Sequence, residues 1–140
     1  MAKSEVTRTG TFAASPADLW AMVSDFGGLD KFVDGMDPYE TVGEGLGAKR
    51  SIPMGGGMVV ETLDAFDDGA RSLTYSIVES PLPFKDYSAV MTVAESGDSG
   101  SELTWTGTFE PDGASKEDAE KLAGNIYSGG IAGFTKALGE

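Results

Sequence analysis

The fold of this chain is decided by the stretch AKRSIPMGGGMVVETL, residues 48–63, in which two extended runs flank three consecutive glycines. Glycine adopts positive φ at no steric cost, so we expect a tight hairpin turn at Gly55 and Gly56. A turn centred there pairs Arg50 with Glu61 across the two strands. Since side chains alternate along a strand, one face of the hairpin then carries Arg50, Ile52, Met54, Val59, Glu61 and Leu63.

The Arg50–Glu61 pair allows two interpretations that hairpin geometry alone does not separate. In the first, it is a cross-strand pair at the surface, which contributes little to stability. In the second, it is a charged pair inside a mostly apolar cavity, because it lies on the more apolar face of the hairpin. Charges are tolerated inside proteins when they are paired, and such sites are often functional.

The composition limits the chemistry that the chain can perform. A length of 140 residues suits one domain, residues 1–140, and 40% apolar residues is ordinary for a globular protein. The chain has no cysteine, which excludes disulfides and thiolate chemistry. It has no histidine, which removes Ser–His and Cys–His arrangements and most zinc sites. We therefore expect neither a metal nor a cofactor.

Charge and hydropathy limit the partners. A formal net charge of −13 repels phosphate backbones and anionic lipid surfaces, so nucleic acid is not an expected partner. No apolar run is long enough to cross a bilayer, and the first residues lack the apolar core of a signal peptide. We therefore expect a cytoplasmic protein without stable membrane insertion.

The residues before the hairpin predict a strand, two short helices and an edge strand. Ser15 can cap a helix, Pro16 suits its first position, and Asp18 follows three residues after the cap, as in a capping box. The predicted order is a strand at 5–12, a helix that starts at Ser15 and is stopped by Gly27 and Gly28, a short second helix at 29–33, and an edge strand at 37–44.

The residues after the hairpin predict three more strands, at 71–79, 86–94 and 103–110. An apolar, proline-stiffened loop, Pro81-Leu82-Pro83-Phe84, separates the first two. Each strand alternates between apolar and polar residues, which is typical of a sheet with one buried face. The apolar faces carry Leu73, Tyr75 and Ile77; Tyr87, Ala89, Met91 and Val93; and Leu103, Trp105, Gly107 and Phe109.

The chain continues with a long helix that begins at Ser115, with Asp118 three residues further on. Glycines inside a helix cost about 1 kcal/mol each relative to alanine, and this helix has Gly124, Gly129, Gly130 and Gly133. Either close packing on the sheet or space for a ligand under the helix would explain them. The apolar stripe consists of Ala119, Leu122, Ala123, Ile126, Tyr127, Gly130, Phe134 and Leu138.

Together these elements predict an α+β fold. Consecutive antiparallel strands joined by short turns form a meander, and the long helix must bury its stripe against the apolar face of that sheet. A curved seven-stranded sheet wrapped around one helix leaves an internal cavity between them.

The order of these segments resembles the START-like superfamily, also called Bet v 1-like, or the polyketide cyclase/dehydrase and lipid transport family. The resemblance covers nearly the whole chain and implies a helix-grip fold, in which a bent sheet wraps the C-terminal helix around a cavity. Members bind lipids, sterols, polyketides and other apolar ligands, and a minority are enzymes. The matching segments are SPADLWAMVSDFGGLDKF, GEGLGAKR, VVETLDAFDDGARSLTYSI, LPFKDYSAVMTV, LTWTGTF and NIYSGGIAGF.

The resemblance also implies a set of site residues. Members related to the abscisic-acid receptors have an arginine and a glutamate that match Arg50 and Glu61, and there the glutamate faces the pocket. The matching, with the faces predicted by alternation, places in the cavity Arg50, Ile52, Glu61, Tyr75, Ile77, Tyr87, Met91, Trp105, Leu122, Ile126 and Gly130. It implies two gate loops at the mouth, consisting of Met54, Gly55, Gly56 and Gly57, and of Pro81, Leu82, Pro83 and Phe84. Both loops differ in sequence from those of the receptors, so hormone signalling is not implied.

Three functions remain open on the sequence. The first is binding of a small, mostly apolar or amphipathic molecule (lipid, polyketide-like or aromatic), whose polar group Arg50, Glu61 and Tyr87 would hold. The second is a polyketide cyclase, aromatase or dehydratase, with Glu61 as base, Tyr75 or Tyr87 as acid and Arg50 as carbonyl polariser. The third is a partner-binding module, monomer or homodimer, with an exposed apolar patch of Met54, Met58, Leu82 and Phe84.

Overall fold

A computed structural model describes residues 3–25, 40–43, 45–54 and 56–140, with Met54 described through its backbone. The predicted second helix at 29–33, the stop at Gly27 and Gly28, and Gly55 of the first gate loop lie outside the described residues.

The described residues form seven antiparallel strands and two helices, which confirms the predicted α+β helix-grip fold. The sheet order is β1-β7-β6-β5-β4-β3-β2, so the strands from β2 to β7 form a meander and β1 pairs with the last of them. The elements are β1 (Ser4–Phe12), α1 (Pro16–Val23), β2 (Glu40–Val42), β3 (Lys49–Met54), β4 (Gly57–Asp67), β5 (Ser72–Glu79), β6 (Phe84–Ser96), β7 (Gly100–Pro111) and α2 (Lys116–Ala137).

Both helices begin where the sequence predicts. The Ser15 side chain accepts a hydrogen bond from the backbone N–H of Asp18 at 3.2 Å, and Pro16 is the first residue of α1. Ser115 accepts from the backbone N–H of Asp118 at 3.1 Å in the same way. A side-chain oxygen thus satisfies one of the backbone donors that every helix start leaves unpaired.

The central hairpin has the predicted register. Arg50 lies opposite Glu61, and Ile52 lies opposite Val59. Gly56 has φ of +83°, a value that glycine adopts without strain. The predicted inward face is buried at each position whose side chain the structure describes: Arg50, Ile52, Val59, Glu61 and Leu63.

The start of β6 differs from the prediction. The strand begins at Phe84, so that residue is not part of the loop but pairs with Pro111 of β7, and Lys85 pairs with Glu110. The ladder then shifts register before Ser88, and Asp86 has φ of 52°. This irregularity allows a short paired segment to precede the regular strand, and alternation within the sequence does not reveal it.

The glycines of α2 permit close packing. A β-carbon at Gly130 would lie 2.5 Å from Cζ3 of Trp105, and one at Gly124 would overlap the guanidinium of Arg8. The interpretation of these two glycines as space for a ligand is therefore wrong, and close packing is correct. Gly129, by contrast, has no atom near its missing β-carbon.

Candidate functional site

A small cavity of about 30 Å³ lies between the sheet and α2. Its walls come from β4, β5, β6 and α2 and from the segment that precedes β6. Most of the wall is apolar, and Glu61 is its charged member. The lining residues are Val59, Glu61, Tyr75, Ile77, Leu82, Phe84, Tyr87, Ala123, Ile126 and Tyr127.

Arg50 and Glu61 form a buried ion pair beside this cavity. The Arg50 Nε donates to Glu61 Oε1 at 2.6 Å, and the two residues are only 5% and 8% exposed. The guanidinium carbon also lies 5.2 Å from the centre of the Tyr75 ring, which is within the range of a cation–π contact. The surface interpretation of this pair is therefore wrong, and the predicted burial among apolar neighbours is correct.

Three tyrosine hydroxyls meet at the cavity. The indole N–H of Trp105 donates to Tyr75 Oη at 3.1 Å, and Tyr75 Oη lies 3.2 Å from Tyr87 Oη. Tyr87 Oη makes a short hydrogen bond with Tyr127 Oη. We call Tyr75, Tyr87 and Tyr127 the tyrosine triad. Its members come from β5, β6 and α2, so it joins the helix to the middle of the sheet.

The triad is held in its neutral form. Burial raises the pKa of Tyr75 and of Tyr87 well above the usual 10.0, because an apolar environment disfavours the phenolate. Burial also raises the pKa of Tyr127. The negative charge of Glu61 adds to the increase in pKa at Tyr75 and Tyr127. All three hydroxyls therefore keep their protons at neutral pH and can donate hydrogen bonds.

The two predicted gate loops meet at one side of the cavity. A β-carbon at Gly57 would lie 3.1 Å from Cγ of Pro81. Behind this contact, Leu82 and Phe84 line the cavity. The Phe84 ring lies 4.5 Å from that of Phe109, centre to centre, and stacks on Tyr87. Leu82 and Phe84 thus face inward, away from the exposed apolar patch that the partner-binding hypothesis requires.

The structure brings together only part of the predicted site. Seven predicted residues line the cavity: Glu61, Tyr75, Ile77, Leu82, Phe84, Tyr87 and Ile126. Arg50 and Trp105 contact this group through Glu61 and Tyr75. The described residues that line the cavity do not include the predicted Ile52, Met91, Leu122 and Gly130.

Sequence reasoning missed three lining residues, Val59, Ala123 and Tyr127. Val59 and Ala123 carry no signal that separates a cavity wall from ordinary core. Tyr127 carries one, because Gly107 interrupts the apolar face of β7 directly beneath it. A glycine inside a strand often marks the close approach of another group.

Across residues 3–25, 40–43, 45–54 and 56–140, no group of three acidic side chains is placed to hold a metal ion. In the same part of the chain, neither helix combines the length and apolar character needed to cross a membrane.

Solved structures with the same architecture come from bacteria and plants. An uncharacterised protein from Bacillus thuringiensis is 27% identical and superposes with a TM-score of 0.88, over 98% of this chain and 100% of that chain. The protein XoxI from Bacillus cereus is 29% identical, with a TM-score of 0.86 over 98% and 95% of the two chains. A norcoclaurine synthase from Thalictrum, solved with a transition-state analogue, shares the fold at 16% identity and a TM-score of 0.78, over 98% and 94% of the two chains.

A comparison with curated proteins gave no match. A family profile described as "Polyketide cyclase / dehydrase and lipid transport" matches residues 3–139. The match spans the sheet, α1, α2 and the cavity between them, and it agrees with the helix-grip architecture of the solved structures. The chain therefore belongs to the polyketide cyclase/dehydrase and lipid transport family.

Proposed function

We propose that this protein binds a small, mostly apolar molecule in the cavity beneath its gate loops. The observation that carries the proposal is the convergence of a carboxylate and three hydroxyls on an otherwise apolar cavity. Aliphatic side chains fill a core at a lower free-energy cost than polar ones, because each buried polar group needs a hydrogen-bond or charge partner. A core that serves only stability therefore does not need these polar groups. Polar groups placed at an apolar cavity are the usual arrangement of a ligand site.

The size of the cavity implies that the ligand enters by displacing side chains. About 30 Å³ holds one or two water molecules, whereas sites for small organic ligands usually measure roughly 300–1,000 Å³. Leu82 and Phe84 are the half-buried lining residues nearest the gate. In our proposal they swing outward, and the register shift at Asp86 separates their movement from the rest of β6.

The proposed opening replaces side-chain contacts with ligand contacts of the same kind. The Phe84 ring leaves its stack on Tyr87 and its tilted contact with Phe109, and an apolar ligand takes that place. Burial of the ligand contributes ~25 cal/mol per Å² of apolar surface. The family description includes lipid transport, which supports an apolar ligand for this member.

The test is a fluorescence titration with the neutral apolar probe N-phenyl-1-naphthylamine. We expect saturable binding with a dissociation constant on the order of micromolar. Ala123→Leu places a larger side chain in the cavity and should weaken binding about 10-fold or more. Val78→Ala changes an exposed residue of β5 and serves as the control, with binding unchanged. Equal binding by the Ala123→Leu variant, with its fold verified by circular dichroism, would place the probe elsewhere and refute the proposal.

A second candidate function is the cyclase-type chemistry, because a carboxylate and neutral phenols line the same cavity. In that mechanism Glu61 removes a proton from a polyketide-like chain and Tyr75 or Tyr87 donates one to its carbonyl oxygen. The Oε1 of Glu61 already accepts from Arg50 at 2.6 Å, which leaves Oε2 as the base. Glu61→Gln should abolish turnover of a model triketone and leave its binding measurable; unchanged turnover would remove Glu61 from the mechanism.

A further inference from the structure

The ring of Phe84 lies against two other aromatic rings at the edge of the cavity. It stacks on the Tyr87 ring, with centres 5.5 Å apart, and makes a tilted contact with the Phe109 ring at 4.5 Å. The Tyr87 and Phe109 rings also contact each other at 6.0 Å. We call the Tyr87 and Phe109 rings the aromatic corner. Stacked and tilted ring pairs attract each other beyond the effect of apolar burial, so the aromatic corner favours an aromatic ring over a saturated group.

The two rings of the aromatic corner are firmly held. Tyr87 is buried, and its hydroxyl is hydrogen-bonded to Tyr75 of β5 and Tyr127 of α2. Phe109 is fully buried on β7, a strand that is paired on both sides, with β1 and β6. The aromatic corner therefore keeps its shape when a neighbouring side chain moves.

Phe84, by contrast, is half-buried and weakly tied to the sheet. Its backbone N–H donates to the carbonyl of Leu82 at 2.8 Å, within its own loop. Its strand partner Pro111 has no N–H and so cannot donate a backbone hydrogen bond to it. The neighbouring bond to the end of β7 runs from the Asp112 N–H to the Pro83 carbonyl, and rotation of the Phe84 side chain leaves it intact. Among the three rings, Phe84 is thus the one that can leave.

From these contacts we infer that the ligand carries an aromatic ring, and that this ring replaces the Phe84 ring against Tyr87 and Phe109. Phe84 is then a plug that fills the place of the ligand ring in the closed protein. The inference rests on the proposed binding function and narrows its ligand from apolar molecules in general to aromatic ones. A saturated acyl chain would gain from burial in the same place, but it would lack the ring contacts.

The test compares three seven-carbon alcohols that differ in the apolar group. They are benzyl alcohol, cyclohexylmethanol and heptan-1-ol, and each is titrated into the native chain while NMR chemical shifts are followed. Displacement of Phe84 costs the same for each probe, so the affinity ratios report the contacts with the aromatic corner. We expect benzyl alcohol to bind about 3-fold or more tightly than either saturated alcohol. The saturated alcohols have the larger apolar surface, so burial alone predicts the opposite order.

Substitution of Phe84 tests the plug. Phe84→Ala empties the place beside the aromatic corner, so benzyl alcohol should bind about 10-fold or more tightly than to the native chain. Phe66→Ala is the matched control, because that ring is exposed and is not among the lining residues, and it should leave the affinity unchanged. If Phe84→Ala does not fold, nuclear Overhauser effects in the native chain decide, since the bound benzyl ring should contact the ring protons of Tyr87 and Phe109.

The outcomes separate the inference from the proposed function. If a saturated alcohol binds as tightly as benzyl alcohol, the aromatic class is overturned, and binding of N-phenyl-1-naphthylamine still supports the proposed function. If the folded Phe84→Ala chain binds benzyl alcohol no more tightly than the native chain does, the role of Phe84 as a plug is overturned. If neither N-phenyl-1-naphthylamine nor any of the three alcohols binds, the proposed function itself fails.

Discussion

The hydroxyl of Tyr127 occupies the place where a β-carbon at residue 107 would stand, so the triad exists because Gly107 has no side chain. Gly107 lies on β7 and Tyr127 on α2, and their contact sets how closely the helix approaches the sheet. The Tyr127 ring also stacks on Trp105 at 4.8 Å, two residues from Gly107 on the same face of the strand. This contact therefore connects the packing of the core with the polar groups of the cavity.

Gly107→Ala should displace Tyr127 and break its bond to Tyr87. We expect a loss of about 1–3 kcal/mol of unfolding free energy, because the new methyl group overpacks a filled site. Urea denaturation measures the loss, and near-ultraviolet circular dichroism reports the changed setting of Trp105 and Tyr127. Gly69→Ala is the control, because a β-carbon there would make an ordinary contact of 3.5 Å with Asp67. Equal stability of the two variants would show that the position of Tyr127 does not depend on the missing side chain at residue 107.

Two adjacent glycines of α2 should respond to alanine in opposite directions. Gly129→Ala should stabilise the protein by about 1 kcal/mol, since alanine favours helix and nothing lies near its β-carbon. Gly130→Ala should destabilise it by about 1–3 kcal/mol, because the methyl group meets Trp105. Thermal and urea unfolding of the two variants measure the difference. A gain of stability in both would contradict the close packing of α2 on Trp105.

The Arg50–Glu61 pair should behave as a buried pair in a double-mutant cycle. Arg50→Met leaves a carboxylate in an apolar site and should cost about 3–5 kcal/mol. Arg50→Met combined with Glu61→Met removes both charges and should recover most of that loss. Lys116→Met is the control, because the Lys116–Glu120 pair lies at the surface, where solvent screens it, and should contribute little to stability. Similar small losses for Arg50→Met and Lys116→Met would refute burial of the pair.

The protein should lose stability above about pH 10. The folded state raises the pKa of all three triad members, so it holds their protons more tightly than the unfolded chain does. The contribution of each tyrosine is therefore complete below the usual pKa of 10.0 and declines as the pH rises beyond it. The unfolding free energy should fall by at most about 1.4 kcal/mol per pH unit for each tyrosine.

Phenolate absorbance provides the direct measurement of these protons. The chain has four tyrosines, so at most one of them should titrate near pH 10 while the protein stays folded. The other three should ionise together with unfolding. Titration of all four near pH 10 in the folded protein would contradict the burial of the triad.

The strands and helix starts were predictable because local patterns specify them. The alternation of apolar and polar residues over 103–110 correctly predicts the buried face of β7. Ser15 and Ser115 cap the two helices, as the aspartate three residues after each of them indicates. The start of β6 was not predictable, because Phe84 and Lys85 join the strand through pairs with Pro111 and Glu110. Those partners lie more than twenty residues away in the chain, and the neighbouring prolines favour a loop.

Most of the correctly predicted site residues lie on strands, where the register determines which side chains face inward, although Ile126 of α2 was also predicted correctly. Glu61, Tyr75 and Tyr87 lie on faces that alternation assigns to the interior, and they line the cavity. Leu122 and Tyr127 lie on the same predicted stripe of α2, yet only Tyr127 reaches the cavity. A helical stripe is wide enough that periodicity does not show which of its members meets a cavity and which meets the core.

The sequence by itself determined that Arg50 faces Glu61, because a glycine turn joins two consecutive strands and sets their register within sixteen residues. Only the tertiary structure decided that the pair is buried and that the space beside it is about 30 Å³. The reason is that α2, more than fifty residues further along the chain, covers the sheet and inserts Tyr127 above Gly107. The room left inside depends on how side chains from distant segments interlock, and that packing is a property of the assembled core.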